Sequence, residues 1–162
     1  MSEKKYNVDS FNLDHTKVTA PFVRLASEKT GRKGDIVSKY DVRFCQPNKE
    51  FMPTGAIHTL EHLVAEYIRD ELPRIVIDFS PMGCRTGFYL ILAGELEPMD
   101  IIDLLCEMYA FMAGFEGEVP GADAISCGNY LDMNLPMAKY LAKRYLDNVL
   151  ANISEANTIY PE

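Results

Sequence analysis

Apolar and polar residues alternate over residues 34–48, and this pattern predicts a half-buried strand. Its apolar positions are Ile36, Tyr40, Val42 and Phe44. Two further apolar runs, residues 74–80 and 85–96, flank the turn-rich stretch SPMGC and are typical of paired strands. The segment before residue 34 starts as a polar stretch and carries no predicted element.

Three other segments carry apolar residues at helical spacing. The first is residues 55–72, the second follows Pro98 and ends at Gly114, and the third follows Pro136 and extends to residue 153. Strands that are adjacent in sequence without an intervening helix favour antiparallel pairing. The sequence therefore predicts an α+β fold with a small, mainly antiparallel sheet, helices packed on one face, and a single domain over residues 1–162.

Composition narrows the possible functions. The chain has 162 residues, of which 48% are hydrophobic, and 16 basic against 24 acidic side chains give a net charge of −8. A nucleic-acid partner is not expected, because the chain has no dense basic stretch to neutralise phosphates. With no secretory signal and no apolar run of membrane-spanning length, we expect a cytoplasmic protein without membrane contact, whose four cysteines are reduced.

The pattern H-x-x-E-H within the first predicted helix is the main indication of chemistry. Residues four apart lie on one helical face, so His58 and His62 can bind the same metal ion. Glu61 is then close enough to exchange protons with a group bound there. The alternative is a solvated helix face that happens to carry two histidines. A useful site also needs a third ligand, with one position left open for substrate.

The candidates for that third ligand are His15, the cysteines and scattered carboxylates. Cys127 is attractive because Gly128 allows a tight turn beside a metal, although a free cysteine is more often a small buried hydrophobic residue. Cys84 differs from the others, since it lies on a turn between predicted strands and next to Arg85. A thiol there can be deprotonated near a cation and act as a base or nucleophile.

Five segments occur in a characteristic order along nearly the whole chain: DSFNLDHTKVTAPFVR, DVRFCQPNKE, IHTLEHL, IDFSPMGCRTGFYL and CGNY. Together they resemble the S-ribosylhomocysteine lyases, the LuxS family. Ordered motifs of this kind are far more specific than H-x-x-E-H alone.

The resemblance implies a role for each matching residue. It implies a divalent metal held by His58, His62 and Cys127, with Fe(II) as the physiological ion and Zn(II) or Co(II) as substitutes. Glu61 and Cys84 correspond to the family's acid/base pair. The implied substrate contacts are Ser10, His15, Arg43 and Asp78. The family is a homodimer with two sites at the subunit interface, and the first three of these contacts reach across from the neighbouring subunit.

The implied reaction explains why these residue types are needed. The carbonyl of S-ribosylhomocysteine must migrate from C1 to C2 and then to C3 before β-elimination can release homocysteine and dihydroxypentanedione. There is no net redox change, and the chain has no Gly-rich dinucleotide motif. A metal with a vacant position acts as a Lewis acid in such a reaction. We expect Cys84, as a thiolate, to remove protons and Glu61 to exchange protons with the sugar oxygens.

Two other functions are compatible with the metal motif. One is an inverzincin-type metallohydrolase, although its third ligand is a downstream glutamate and none lies between Glu118 and Glu155. The other is a non-catalytic module stabilised by a closed metal site.

The four implied substrate contacts also have ordinary structural interpretations. His15 is typical of a solvated surface group, Ser10 of a turn or cap, Asp78 of a strand end, and Arg43 of a salt bridge. The sequence also leaves open whether the product is a precursor of a quorum-sensing signal or a by-product of recycling.

Overall fold

Four strands form one antiparallel sheet in the computed structural model, which describes residues 5–161. The strands are β1 (Phe22–Thr30), β2 (Ile36–Arg43), β3 (Val76–Pro81) and β4 (Gly87–Ala93). Their order in the sheet is β1-β2-β4-β3, and every neighbouring pair is antiparallel. The predicted strand pair around SPMGC is confirmed as β3 and β4.

Strand β1 has no counterpart among the predicted elements. Only its first three residues are fully buried, and its second half is mostly exposed and polar. A register shift between Leu25 and Ser27 also interrupts its pairing with β2. Because β1 lies at the edge of the sheet, its outer half packs against few neighbours and lacks the alternation that marks a half-buried strand.

The three predicted helices are confirmed to within two residues at each end. They are α1 (Thr54–Glu71), α2 (Pro98–Ala113) and α3 (Leu135–Asn152). Their buried side chains share one hydrophobic core with the inward-facing residues of β2 and β4. The chain is thus a small α+β domain, as predicted. Among residues 5–161, no helix combines the length and the apolar character that crossing a membrane requires.

The opposite face of the sheet holds buried polar side chains. Arg24, Asp41 and Arg43 are each at most 4% exposed. Asp41 and Arg43 belong to β2, and the alternation of side chains along this strand places both away from the helical core. The segment after α3 covers this layer. The carbonyl of Ala156 accepts a hydrogen bond from Arg24 at 2.9 Å, and the hydroxyl of Tyr160 donates to Asp41 at 2.8 Å.

Candidate active site

Helix α1 carries the H-x-x-E-H motif on a partly exposed face. His58 and His62 lie one turn apart, and their ring centroids are 4.8 Å from each other. Glu61 borders the same groove as His62 and Ser126. The two imidazoles and the carboxylate are therefore accessible from solvent and are not part of the core.

Backbone carbonyls fix the orientation of both imidazole rings. Nδ1 of His58 lies 2.9 Å from the carbonyl oxygen of Asp132, and Nδ1 of His62 lies 2.7 Å from that of Pro120. A carbonyl can only accept, so each Nδ1 donates a proton, and in a neutral ring of this tautomer Nε2 is the nitrogen with the free lone pair. Gly121 follows Pro120 with a φ of 67°, in the left-handed region that favours glycine.

A hydrogen-bonded turn between α2 and α3 presents Cys127. The carboxylate of Asp123 accepts hydrogen bonds from the backbone N–H of Ser126 at 2.8 Å and from the Ser126 hydroxyl at 3.0 Å. These two bonds lower the pKa of Asp123. The N–H of Cys127 donates to the Asp123 carbonyl at 3.0 Å. Cys127 Sγ then lies 3.4 Å from Nε2 of His58, and the N–H of Asn129 points to the same sulfur at 3.4 Å.

Thr59, inside the motif, anchors this loop to α1. Its buried hydroxyl donates to the carbonyl of Gly55 at 2.7 Å and accepts from the N–H of Asn134 at 2.9 Å. The Asn134 side chain in turn accepts from the N–H of Met137 at 3.1 Å and caps α3. The chain segment that bears Cys127 is thereby held against the helix that bears the histidines.

The three side chains could hold a divalent metal ion. One ligand atom from each of His58, His62 and Cys127 lies within 4.8 Å of the others. In a tetrahedral site with metal–N and metal–S bonds of ordinary length, an N···S edge is about 3.6 Å, close to the 3.4 Å between His58 and Cys127. Two neutral imidazoles and one thiolate accept several divalent ions of the first transition row.

The composition of this group favours the catalytic interpretation over its two alternatives. An inverzincin site would use a glutamate as third ligand, whereas Cys127 occupies that place. A closed structural site would need a fourth protein ligand. In the part of the chain that the structure describes, the group contains three His, Cys, Asp or Glu residues and no fourth. Three protein ligands leave a position open for substrate.

Cys84 lies in the tight turn that joins β3 to β4, as predicted. Within this turn the N–H of Arg85 donates to the carbonyl of Met82 at 2.9 Å, and Arg85 has a φ of 60°. The thiol of Cys84 is exposed. Its Sγ lies 3.0 Å from the hydroxyl oxygen of Thr86.

Arg43 is buried at the end of β2 and connects to the same turn. Its Nε and Nη2 donate to the two carboxylate oxygens of Asp41 at 3.0 and 2.7 Å, and its Nη1 donates to Thr86 Oγ1 at 2.9 Å. Burial lowers the pKa of Arg43, but the hydrogen bonds and charge of Asp41, followed by the charge of Cys84, outweigh it and raise that pKa. Arg43 is thus linked through Thr86 to Cys84 of its own chain.

Of the other three predicted substrate contacts, Ser10 and His15 belong to the segment before β1, and Asp78 belongs to β3. Ser10 borders a groove beside Tyr89, His15 has its Nδ1 2.9 Å from the carbonyl oxygen of Leu13, and Asp78 is half-buried in β3. Within residues 5–161, no hydrogen bond or ion pair joins any of the three to the metal-ligand group or to Cys84. Their roles as substrate contacts stay predictions.

Sequence analysis missed several groups that shape the site. Asp41 left a detectable signal, because opposite charges two residues apart in a strand lie on one face, as Asp41 and Arg43 do. Thr86 left none beyond its closeness to Cys84 in the sequence. The carbonyls that orient the histidines belong to the backbone, which no residue pattern distinguishes.

The fold and the ligand group together define a class: small α+β proteins in which two imidazoles and one cysteine sulfur, next to a carboxylate, could hold a metal ion. Residues 8–156 match the family model described as S-Ribosylhomocysteinase (LuxS). The chain belongs to this family, and the family expected from the five ordered motifs is confirmed.

Named relatives agree with the family match. The chain is 54% identical to the S-ribosylhomocysteine lyase of Thermus thermophilus over 139 residues. This aligned segment covers 86% of this chain and 88% of the relative. It is 46% identical over 157 residues to the enzyme of the same name from Clostridium beijerinckii, covering 95% and 98% of the two chains. For the Deinococcus radiodurans enzyme the identity is 49% over 144 residues, covering 89% and 90%. The predicted enzyme class, a carbon–sulfur lyase, is confirmed.

Proposed function

We propose that this protein cleaves S-ribosylhomocysteine to homocysteine and dihydroxypentanedione in a metal-dependent reaction. The proposal depends on one observation above all. His58, His62 and Cys127 converge beside Glu61, in a chain whose relatives are named S-ribosylhomocysteine lyase. We further propose that the protein works in the cytoplasm and that its second product is the precursor of a quorum-sensing signal.

The chemistry requires two carbonyl migrations before the carbon–sulfur bond can break. The sulfur is bonded to C5 of the ribose, and it departs as a thiolate only when a carbonyl at C3 has acidified the C4–H bond. The C1 carbonyl therefore moves to C2 and then to C3, each time by removal of one C–H proton and return of a proton to the neighbouring carbon. Removal of the C4 proton then expels homocysteine. A divalent ion, which we propose to be Fe(II) with Zn(II) or Co(II) as substitutes, supplies a Lewis acid for the sugar oxygens.

Two side chains of this chain move the protons. We assign the removal of C–H protons to Cys84 as a thiolate, since its sulfur is exposed on a turn and in hydrogen-bond contact with Thr86. We assign proton exchange with the sugar oxygens, and participation in the elimination, to Glu61. Its place in the groove beside His62 supports this assignment.

The remaining site residues bind substrate or tune the base. Arg43 is 1% exposed and engaged by Asp41 and Thr86, which supports a charge role toward Cys84 of its own chain. We propose that the protein is a homodimer with two sites at the subunit interface, where Ser10, His15 and Arg43 approach the substrate from the second subunit. Asp78, half-buried in β3, is proposed as a further substrate contact.

Thiol release tests the proposal. The protein loaded anaerobically with Fe(II) is incubated with S-ribosylhomocysteine, and new free thiol is measured with a thiol reagent after the protein is removed. We expect one thiol per substrate consumed, because homocysteine is a product. Absence of new thiol from fully metallated protein would overturn the proposal.

Three variants separate the metal site from the proton-transfer groups. Glu61→Gln and Cys84→Ala keep all three metal ligands, so we expect both to retain the metal and to lose at least about a hundredfold in rate. Cys127→Ala removes a ligand and should lose the metal together with the activity. A Glu61→Gln or Cys84→Ala protein with near wild-type turnover would reject the role assigned to that residue.

A further inference from the structure

The hydroxyl of Thr86 lies between Arg43 and the reactive thiol. Thr86 is 6% exposed, and its Oγ1 is 2.9 Å from Arg43 Nη1 and 3.0 Å from Cys84 Sγ. Within residues 5–161, no other hydrogen bond reaches this sulfur. Among the described residues, Thr86 is therefore the hydrogen-bond partner of this sulfur.

The direction of the Thr86 hydrogen bonds follows from the chemistry of its neighbours. A hydroxyl has one proton and two lone pairs, whereas a guanidinium has only donors. Arg43 must therefore donate to Thr86 Oγ1. If Thr86 accepted from Cys84 as well, its own buried proton would have no partner, which is costly. The Thr86 proton is instead directed at Cys84 Sγ, and a hydrogen bond of this direction favours the thiolate.

Arg43 holds this direction because it is itself fixed. Its Nε and Nη2 form a two-point contact with Asp41, whose side chain is 2% exposed. Tyr160, from the segment after α3, donates its hydroxyl proton to the same carboxylate at 2.8 Å. A carboxylate only accepts hydrogen bonds, so Tyr160 and Arg43 must both donate to Asp41. Each hydrogen bond between Tyr160 and the thiol therefore has a fixed direction.

Arg43 does not act on Cys84 as an isolated positive charge. Its positive charge is paired with Asp41 at 2.7 Å, so much of its field at the sulfur is offset. Two other groups lie near Cys84. Arg85, next in sequence, places its guanidinium over the ring of Phe51 at 4.5 Å. Cys45 is buried, and burial raises its pKa to about 11, so it is an uncharged thiol near neutral pH.

We propose that Thr86 is a positioning residue whose hydroxyl donates a hydrogen bond to the Cys84 thiolate, in a direction imposed by Arg43. The inference rests on the proposed function only in giving Cys84 a role as base. The Asp41 carboxylate and the Tyr160 hydroxyl complete the path that keeps Arg43 in place.

Alkylation of Cys84 tests the inference without substrate. The protein loaded with Zn(II) is treated with iodoacetamide between pH 5 and pH 10, and the rate at Cys84 is followed by mass spectrometry of its peptide. Thr86→Val keeps the shape of the side chain and removes the donor, whereas Thr86→Ser keeps the donor. Thr30→Val, at the exposed end of β1, is the matched control.

We expect Thr86→Val to move the pH of half-maximal alkylation upward by about one unit, because a hydrogen bond to a charged acceptor is worth roughly tenfold or more. Thr86→Ser and Thr30→Val should match the wild type within a few tenths of a unit. A Thr86→Val profile that coincides with the wild type would overturn the inference. If that variant does not fold, Thr86→Ala replaces it with the same expectation.

The same proteins distinguish failure of the inference from failure of the proposed function. Thiol release by the wild type together with an unmoved Thr86→Val profile rejects the role of Thr86 alone. A moved profile without any thiol release rejects the proposed function and leaves the hydrogen bond to the thiolate supported.

Discussion

Asp41 and Arg43 form an ion pair whose side chains are each 2% exposed, at an N–O distance of 2.7 Å. A second pair, Lys143 and Asp147 on α3, has nearly the same distance, 2.9 Å, but its side chains are 66% and 60% exposed. Equal distances do not mean equal energies. A buried guanidinium that loses its carboxylate has no water to replace it, whereas an exposed ammonium is rehydrated at once.

The two pairs therefore predict very different costs of neutralisation. Asp41→Asn should lower the free energy of unfolding by about 3–5 kcal/mol, because it leaves a buried positive charge uncompensated. The matched change Asp147→Asn should cost about 0.5 kcal/mol or less. Urea denaturation of the metal-loaded proteins measures both. Similar losses in the two variants would contradict the assigned burial of Arg43.

At the residue scale, whether a contact could be predicted from the sequence depends on how far apart the two interacting groups lie in the chain. His58 and His62 could be predicted as a pair because helical periodicity alone places them on one face. Cys127 joins them only through tertiary contacts, including the Asp132 carbonyl that orients His58. Spacing alone could not select it from the other candidate ligands, and the family resemblance was required.

At the scale of elements, β2 and β4 approach each other closely beside the turn that carries Cys84. Gly87 pairs with Arg43 across these strands. A Cβ atom on Gly87 would collide with the backbone carbonyl of Val42 and would lie 2.9 Å from the Cα of Arg43. The absence of a side chain at this position lets β2 approach the turn that carries Cys84. Gly83, on the other side of that turn, has no atom within 4 Å of the corresponding Cβ position.

The two glycines give a matched pair of substitutions. Gly87→Ala should lower the free energy of unfolding by about 1–3 kcal/mol, since the strands must separate to admit the methyl group. Gly83→Ala should change it by less than about 0.5 kcal/mol. Thermal unfolding of the metal-loaded proteins measures the difference. If Gly87→Ala were as stable as Gly83→Ala, the close approach of β2 to β4 would be wrong.

The elements that the sequence predicted are those with a strong internal periodicity. α1, α2, α3, β2 and β4 each bury a set of regularly spaced apolar residues, and hydrophobic spacing marks such segments. β1 escaped prediction because its pairing with β2, rather than its own pattern, makes it a strand. Local patterns do not record hydrogen bonds that a neighbouring strand supplies.

Across the whole molecule, shielded tyrosines lie on both sides of the sheet: two are fully buried and one is half-buried. Tyr109 and Tyr145 belong to the helical core, and Tyr160 covers the polar layer on the other face. Burial raises the pKa of each phenol above its usual value of about 10, and the negative charge of Asp41 raises the pKa of Tyr160 further. The folded protein therefore keeps these protons at a pH where the unfolded chain releases them.

Stability should accordingly fall in alkaline solution, and Tyr160 should account for a separable part of the loss. A raised folded-state pKa stabilises the fold fully below pH 10, and this contribution declines as the pH rises above 10 at about 1.4 kcal/mol per pH unit for each tyrosine.

Tyr160→Phe removes the hydrogen bond to Asp41, so the variant should be less stable at pH 8 by about 1.5–3 kcal/mol. Because the variant lacks the ionisable phenol, the gap to the wild type should narrow between pH 10 and 11.5. Urea denaturation across this range measures the gap, and Tyr140→Phe, at a 60% exposed position, should follow the wild type throughout. A gap that stays constant with pH would mean that Tyr160 is not held by Asp41 across the back of the sheet.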